Sequence, residues 1–182
     1  MNAFSFLVST VFDLYLMVVI LRLWLQLARA DFYNPFSQFI VKATHPIVGP
    51  LRRVIPSFGN FDSASFVLAI TVVIVKFVLL SLMAGAAIDA PSILLVSLVS
   101  VFKEAGVLLF WMLILRAILS WVSQGQNPIE MVMTQLTEPL LSPIRRMLPQ
   151  MGGLDLSLLV VMIILNFLNI LLAQYVPYWA SV

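Results

Sequence analysis

The sequence has no cysteine, a single histidine and few charged side chains. Without cysteine, the chain cannot form disulfides, thiolate metal sites, iron–sulfur clusters or a cysteine nucleophile. Charged residues are 10% of its 182 residues, whereas soluble domains carry about 25%. So few polar side chains cannot cover a soluble surface. The composition therefore excludes a soluble globular domain and predicts an integral membrane protein.

Patterns that identify enzymes are also missing. His45 alone cannot form a metal cluster. The sequence has no nucleophile–base pattern, no phosphate-cradling glycine loop and no haem-attachment motif. The net charge of +2 is too small to indicate a nucleic-acid partner. We therefore expect a protein that is not an enzyme and that binds neither cofactor, metal nor nucleic acid.

Apolar residues, by contrast, make up 62% of the chain. Four stretches reach the length of about 20 residues that a helix needs to span a bilayer. They lie at about 4–27, at about 63–88, within 91–122 and at about 156–175. The third stretch is too long for one simple crossing, so residues 92–102 form either an interfacial turn or an overhang. The predicted fold class is an all-α membrane protein with four transmembrane helices.

Lysine and arginine are concentrated in the two long connections between these stretches. The short connection around 87–92 and the tail after 156 contain none. Because cytoplasmic loops are enriched in Lys and Arg, we expect both long connections to be cytoplasmic. Both termini then face the periplasm of a bacterial inner membrane.

One motif occurs twice, 93 positions apart. The stretches PIVGPLRRVIP (46–56) and PLLSPIRRMLP (139–149) share Pro-x3-Pro-x-Arg-Arg-x-x-Pro. Aligning 34–62 with 127–155 needs no gap. Its identical pairs are Asn34/Asn127, Pro35/Pro128, Thr44/Thr137, Pro46/Pro139, Pro50/Pro143, Arg52/Arg145, Arg53/Arg146, Pro56/Pro149, Gly59/Gly152 and Asp62/Asp155.

The repeated unit is therefore a helix, a cytoplasmic segment and a second helix. The first copy is 1–88 with the segment 34–62, and the second is 89–182 with the segment 127–155. One residue of slippage pairs Arg22 with Arg116 upstream of the segments. Both copies have the same orientation, which predicts a parallel repeat rather than an inverted one.

Local chemistry predicts an amphipathic helix at the start of each segment. An Asn-Pro pair reads as an N-cap followed by proline at the first helical position. Apolar residues then follow at helical spacing and define a stripe that faces acyl chains or protein. We expect the later prolines to break the chain into short turns and the glycines to permit a tight turn. The stripe residues are Phe36, Phe39, Ile40, Ala43 and Ile47, and Ile129, Val132, Met133, Leu136 and Leu140.

The charged residues of the segments have alternative interpretations. The arginines of each pair either anchor the segment to anionic lipid headgroups or bind a protein partner. Asp62 and Asp155 stand where the next helix begins and are predicted to be N-caps. The paired arginines are Arg52 and Arg53, and Arg145 and Arg146.

Polar residues inside the spanning stretches are costly and are therefore candidate functional sites. We interpret Arg22 and Arg116 as structural clamps that satisfy carbonyls or the two aspartates, with ion transport as the alternative. Equal depths along their helices predict a contact between Asp13 and Lys76. The second copy lacks this pair, and Asn166 and Asn169 are predicted to bond between helices. The pair Lys103-Glu104 is expected at the outer interface.

The repeat strongly resembles the YggT/YlmG family. The residues that carry the resemblance are Asn-Pro, Thr-x-Pro-x3-Pro-x-Arg-Arg-x-x-Pro-x-x-Gly-x-x-Asp and an arginine near the end of the preceding helix. The resemblance covers nearly the whole chain as two tandem copies. It implies an integral membrane protein without established enzymatic activity. Family members are linked to osmotic-shock tolerance and potassium uptake, to cell division, and in plastids to cytochrome maturation.

Two functional hypotheses follow. The first is a non-enzymatic scaffold or assembly factor that presents the two segments to anionic lipid and to a protein partner or a second copy. The alternative is a component of potassium permeation or osmotic-stress tolerance that uses the intramembrane charges. Four helices are few for a pore in a monomer, so permeation would require an oligomer or a partner.

Overall fold

The computed structural model describes residues 2–122, 127–148 and 155–182. The regular elements of these residues are all α-helices. In chain order they are α1 Ala3–Leu27, α2 Pro35–Val54, α3 Ser63–Ala84, α4 Ala90–Val122, α5 Pro128–Met147 and α6 Leu156–Tyr175. Four of them, α1, α3, α4 and α6, are long and apolar enough to span a membrane. The all-α membrane fold with four spans is thereby confirmed.

The spanning helices begin at polar caps. Asn2 accepts a hydrogen bond from Ser5 N at 2.7 Å at the start of α1. Asp62 accepts one from Ser65 N at 3.4 Å at the start of α3. Each cap satisfies a backbone N–H that has no partner inside the helix. The predicted N-cap role of Asp62 is therefore observed, and Asp155 plays the same role for α6.

Two glycines with left-handed backbone shape the first repeat. α3 ends at Ala84, earlier than predicted, because Gly85 adopts a φ of 64°. This conformation terminates helices and is costly for residues with a Cβ. Gly59, with a φ of 59°, forms the expected turn before α3. Its counterpart Gly152 lies outside the described residues.

The third apolar stretch forms one continuous helix, α4, of 33 residues. The alternative of an interfacial turn at 92–102 is therefore wrong. At 1.5 Å per residue such a helix is about 50 Å long, whereas the hydrocarbon core of a bilayer is about 30 Å thick. α4 consequently projects beyond the core or tilts within it.

The prediction that prolines break the connecting segments is wrong for the first two prolines of each motif, although α2 does end just before Pro56. α2 continues through Pro46 and Pro50, and α5 through Pro139 and Pro143. A proline removes the hydrogen bond to the carbonyl four residues earlier. Here the two prolines of each helix are four residues apart and therefore share one side, and all four are exposed. The weakened side faces outward, while the buried side keeps its hydrogen bonds. Pro149, of the same motif, lies outside the described residues.

The buried face of the connecting helices α2 and α5 differs from the predicted apolar stripe. Its central side chains include two threonines, Thr44 and Thr137, each 0% exposed. The stripe residues Ile40, Val132, Met133 and Leu136 are buried, and Phe36 is half-buried. The exposed stripe residues are Phe39, Ala43, Ile47, Ile129 and Leu140. Part of the stripe therefore faces outward.

The two repeats pack against each other in two places. α4 of the second repeat contacts α1 and α3 of the first, and α5 contacts α2. Trp24 Nε1 donates to Leu136 O at 3.2 Å, and Asn34 Nδ2 donates to Pro128 O at 2.8 Å. Both bonds join the repeats at the connecting helices. Within the repeats, α1 packs closely on α3, whereas α6 buries only Ser157 and Val161. The second repeat is therefore the more open of the two.

Replacing an exposed helical proline tests the continuity of α2. Pro46→Ala restores a backbone N–H where the helix already continues, which stabilises the folded protein. The unfolded chain becomes more flexible without the proline, which offsets part of this gain. We therefore expect the free energy of unfolding to rise by about 1–2 kcal/mol. Thermal unfolding in detergent measures it. The control Pro56→Ala lies beyond the end of α2 and should give no gain. A loss of stability in Pro46→Ala would show that the helix needs the proline.

Candidate functional site

Each repeat encloses an arginine that the spanning helix directs toward the connecting helix. In the first repeat, Arg22 on α1 is 4% exposed. Its Nη1 donates to Thr44 Oγ1 at 2.6 Å and to Val41 O at 3.2 Å. Its Nε lies 3.7 Å from Asp62 Oδ2. The guanidinium, which stays charged in proteins, thus donates hydrogen bonds to a hydroxyl and a carbonyl and forms an ion pair with a carboxylate, while its buried Nε makes no hydrogen bond to the described residues.

Asp62 is shared by a second arginine. Arg52, near the end of α2, donates from Nε to Asp62 Oδ1 at 3.3 Å and from Nη2 to Oδ2 at 2.5 Å. Nη2 also donates to Gln26 Oε1 at 2.7 Å. Such two-pronged pairs fix geometry as well as charge. We call Arg22, Thr44, Arg52 and Asp62 the first arginine clamp. It ties α1, α2 and the start of α3 together.

The buried carboxylate of Asp62 is held in its charged form. Burial by itself raises the pKa of a carboxyl group. Hydrogen bonds from Arg52 and Ser65 outweigh this effect and leave the pKa of Asp62 below its usual value. The side chain is 0% exposed. The negative charge of Asp62 therefore depends on these donors. Without that charge, Arg22 and Arg52 would lose their carboxylate partner.

The second repeat contains a related arrangement with an extra carboxylate. Arg116 Nη1 donates to Thr137 Oγ1 at 2.6 Å, as Arg22 does to Thr44. Its Nη2 donates to Glu138 Oε2 at 2.8 Å, and Arg145 Nη1 donates to Glu138 Oε1 at 2.8 Å. Arg145 Nη2 reaches Asp155 Oδ2 at 2.6 Å. These five residues form the second arginine clamp.

The two clamps differ in how the carboxylate meets the arginines. In the first, Asp62 faces both arginines directly. In the second, Glu138 stands between Arg116 and Arg145, so the expected contact of Arg116 with Asp155 is indirect. Glu138 and Asp155 are also more accessible, at 39% and 33% exposed.

Hydrogen bonds also set the pKa values in the second clamp. The bond to Asp155 raises the pKa of Arg145. Burial by itself raises the pKa of Asp155. Hydrogen bonds from Ser157 and Arg145 lower it by more, so the pKa of Asp155 lies below its usual value. Both groups are therefore charged at neutral pH. Because they are partly exposed, water screens much of their interaction.

The paired arginines of the motif have different environments. The first of each pair, Arg52 or Arg145, belongs to a clamp. The second, Arg53 or Arg146, is exposed and has neither hydrogen bond nor ion pair to any described residue. The two arginines of each pair therefore have different surroundings, because adjacent helical residues point about 100° apart, and binding of lipid or a partner by these pairs stays a prediction.

The predicted intramembrane contact is present between α1 and α3. Lys76 Nζ lies 2.6 Å from Asp13 Oδ1, and Ser9 Oγ donates to Asp13 Oδ2 at 3.1 Å. Glu104 of α4 is near enough to this pair and to Lys103 to interact electrostatically. The charges inside the spans thus partner one another across the two repeats.

The asparagines of α6 do not form the expected bond. Within the described residues, Asn169 Oδ1 accepts from Trp179 Nε1 at 2.9 Å, in the segment that follows α6, rather than from another spanning helix. Lys103 Nζ donates to Trp179 O at 2.9 Å and to Val182 O. Asn166 borders a cavity between α4 and α6. The hydrogen bonds of Lys103 and Asn169 therefore join α4, α6 and the segment that follows α6.

Several clamp residues were not identified from the sequence. Thr44 and Thr137 were an identical pair in the repeat alignment, which was the available signal. Glu138 has no such signal, because His45 occupies its position in the first copy. Gln26 lies in an apolar stretch and is marked by no pattern.

The helices and clamps define a class: a multi-pass membrane protein made of two tandem units, each a span, a clamped connecting helix and a second span. The profile of the CCB3/YggT family matches residues 1–83 and 95–176. The chain therefore belongs to the CCB3/YggT family. The two matched segments follow the two repeats and confirm the resemblance found in the sequence.

Similar proteins occur in other bacteria. A Vibrio alginolyticus protein described by its place in the proC 3' region is 59% identical, with 98% of each chain covered. A protein of Escherichia coli strain K12 named YggT is 49% identical over 96% of this chain and 91% of its own. A Haemophilus influenzae protein is 40% identical over 89% of this chain and 87% of its own. No solved structure matches.

The carboxylates of the two clamps are buried to different extents, so removing their charges should lower the free energy of unfolding by different amounts. Asp62→Asn keeps a capping side chain but leaves the buried Arg22 and the more exposed Arg52 without their buried carboxylate, which should cost about 3–5 kcal/mol in the free energy of unfolding. The matched variant Asp155→Asn removes a partly exposed charge and should cost about 1 kcal/mol or less. Denaturant unfolding in detergent measures both losses. Equal losses would contradict the inequality of the clamps.

The same variants give a pH signature. Asp62 contributes to the free energy of unfolding at pH values above the pKa that an aspartate has in the unfolded chain, about 3.9, because the pKa of Asp62 in the folded protein is lower. This contribution is lost as the pH falls through that folded value. The stability gap between wild type and Asp62→Asn should therefore close at acidic pH.

Proposed function

We propose that the protein is a non-enzymatic membrane scaffold whose connecting helices bind a partner protein at the anionic membrane surface. The observation that carries the proposal is the division of each arginine pair. One arginine is held by a clamp, and its neighbour is left exposed on a helix that the clamp holds in place. A preorganised surface reduces the entropy lost on binding.

The exposed faces of α2 and α5 have the composition of a binding surface. Ile47 and Leu140 are exposed at 46% and 39%, and Arg53 and Arg146 lie on the same helices. Arginine is enriched in protein interfaces, and the buried centre of an interface is more apolar than the rest of the surface. The bond from Asn34 to Pro128 joins the starts of the two helices.

Permeation is a weaker candidate. The arginines that would serve as its site, Arg22 and Arg116, already have oxygen partners inside the clamps. Asp13 and Lys76 likewise neutralise each other. A pathway through these groups would have to break bonds that hold the helices together. We therefore assign the intramembrane charges to structure.

The proposal places the protein in the bacterial inner membrane with both connecting helices cytoplasmic, on the distribution of Lys and Arg. We expect reporter fusions in the linker after Gly85 and at the C-terminus to report the periplasm. A fusion in the segment before Asp62 should report the cytoplasm. A cytoplasmic C-terminus would contradict this orientation.

Photocrosslinking in cells tests the scaffold. A photoreactive amino acid in place of Ile47 or Leu140 should give a discrete protein adduct, and Arg53→Glu with Arg146→Glu should abolish it. The same probe at Leu115, an exposed residue of α4, should not give that adduct.

Adjacent charge reversals provide the control. Arg53→Glu should leave thermal stability unchanged because its side chain is exposed, whereas Arg52→Glu should lower it by breaking the first clamp. Absence of the adduct in folded protein would contradict the scaffold. Potassium flux in proteoliposomes that is lost in Arg22→Ala would establish permeation instead.

A further inference from the structure

The second repeat contains a cavity of about 700 Å³ between α4, α6 and the segment after α6. Small-molecule sites typically measure about 300–1,000 Å³. The lining is mainly aliphatic and aromatic. Val107 and Ile163 line it and are also 37% and 60% exposed, so its mouth opens on the surface of the spanning helices. We propose that this cavity binds one acyl chain of a membrane phospholipid.

The side chains that line the cavity differ from their counterparts in the first repeat. The register that pairs Arg22 with Arg116 pairs Phe12 with Gly106. Phe12 is half-buried and packs against the hydrophobic core. A Cβ added at Gly106 would meet nothing within 4 Å. The loss of an aromatic ring therefore opens the space that its counterpart fills.

The ion pair of the first repeat is also replaced. Asp13 and Lys76 bridge α1 and α3 at 2.6 Å, while their counterparts Val107 and Asn169 line the cavity. An aliphatic side chain and an amide cannot draw the helices together as two opposite charges do. α4 and α6 thus remain apart along the cavity.

Position and length favour an acyl chain as the occupant. Lining residues of α6 run from Leu159 to Leu172, about 20 Å of helix at 1.5 Å per residue. Half of the hydrocarbon core of a bilayer is about 15 Å, so a chain from one leaflet fits the groove. Apolar walls offer water few hydrogen bonds, whereas the mouth lies among hydrocarbon tails.

Three polar groups of the lining are hydrogen-bonded together at one end, whereas Asn166 lies nearer the middle of the lining stretch of α6. Lys103 donates to Trp179 O at 2.9 Å, and Trp179 donates to Asn169 at 2.9 Å. Lys103 has three N–H donors, and the described residues accept two of them. The third is available to the ester or phosphate of the lipid whose chain enters there.

A photoreactive lipid tests the proposal. The protein is reconstituted in vesicles of phosphatidylethanolamine and phosphatidylglycerol that contain phosphatidylethanolamine with a diazirine in the acyl chain. After irradiation, adducts are mapped by mass spectrometry. We expect them to concentrate on lining residues and to fall in Gly106→Phe by about tenfold, which corresponds to about 1.4 kcal/mol.

Matched variants control for the added ring. Leu115→Phe adds an aromatic side chain to α4 outside the cavity, and Gly106→Ala leaves most of the space, so both should retain the adducts. Val107→Phe narrows the cavity from the neighbouring position and should reproduce the loss if Gly106→Phe unfolds. Adducts spread evenly over the exposed residues of α4 and α6, and unchanged in Gly106→Phe, would overturn the proposal. Crosslinks between two copies through α6 would also overturn it.

Discussion

A guanidinium group enclosed among membrane-spanning helices cannot lose its charge, so it must be given oxygen partners. This constraint determines the form of each repeat. Arg22 is 4% exposed and takes its partners from the connecting helix and from the start of the next span. The chain must therefore fold back under the spanning helix before it crosses again. The connecting helix is oriented by the arginine as much as by its apolar face.

The two repeats meet this constraint with different carboxylates. Asp62 serves both arginines of the first clamp from a fully buried position. In the second clamp, Glu138 bridges the arginines and Asp155 is partly exposed. Close packing of α1 on α3 accompanies the compact clamp. The second arginine clamp, with its two carboxylates, accompanies the more open packing of α4 and α6. The two copies thus share one frame, but α1 and α3 pack closely in the first, whereas a cavity lies between α4 and α6 in the second.

Much of this frame could be predicted from sequence, because its causes are local. The spans follow from apolar length, and the caps from side-chain chemistry at helix starts. Matching depths along two helices sufficed for Asp13 and Lys76. The bridging role of Glu138 was not predictable, because it depends on which helix faces Arg116. Nor was the continuity of α2, because the exposure of Pro46 and Pro50 is set by tertiary packing.

The Arg-Arg motif shows why a repeated pattern need not mean a repeated role. Neighbouring positions on a helix differ in direction by about 100°, so one arginine of a pair faces the clamp and the other cannot. The inward residues, Arg52 and Arg145, must be arginine because each bonds carboxylates from more than one nitrogen atom. Lysine, a point charge, could not replace that geometry. The outward residues, Arg53 and Arg146, make no such bond to the described residues, and each lies in the last turn of its helix, where a positive charge complements the helix dipole and stays accessible to a partner.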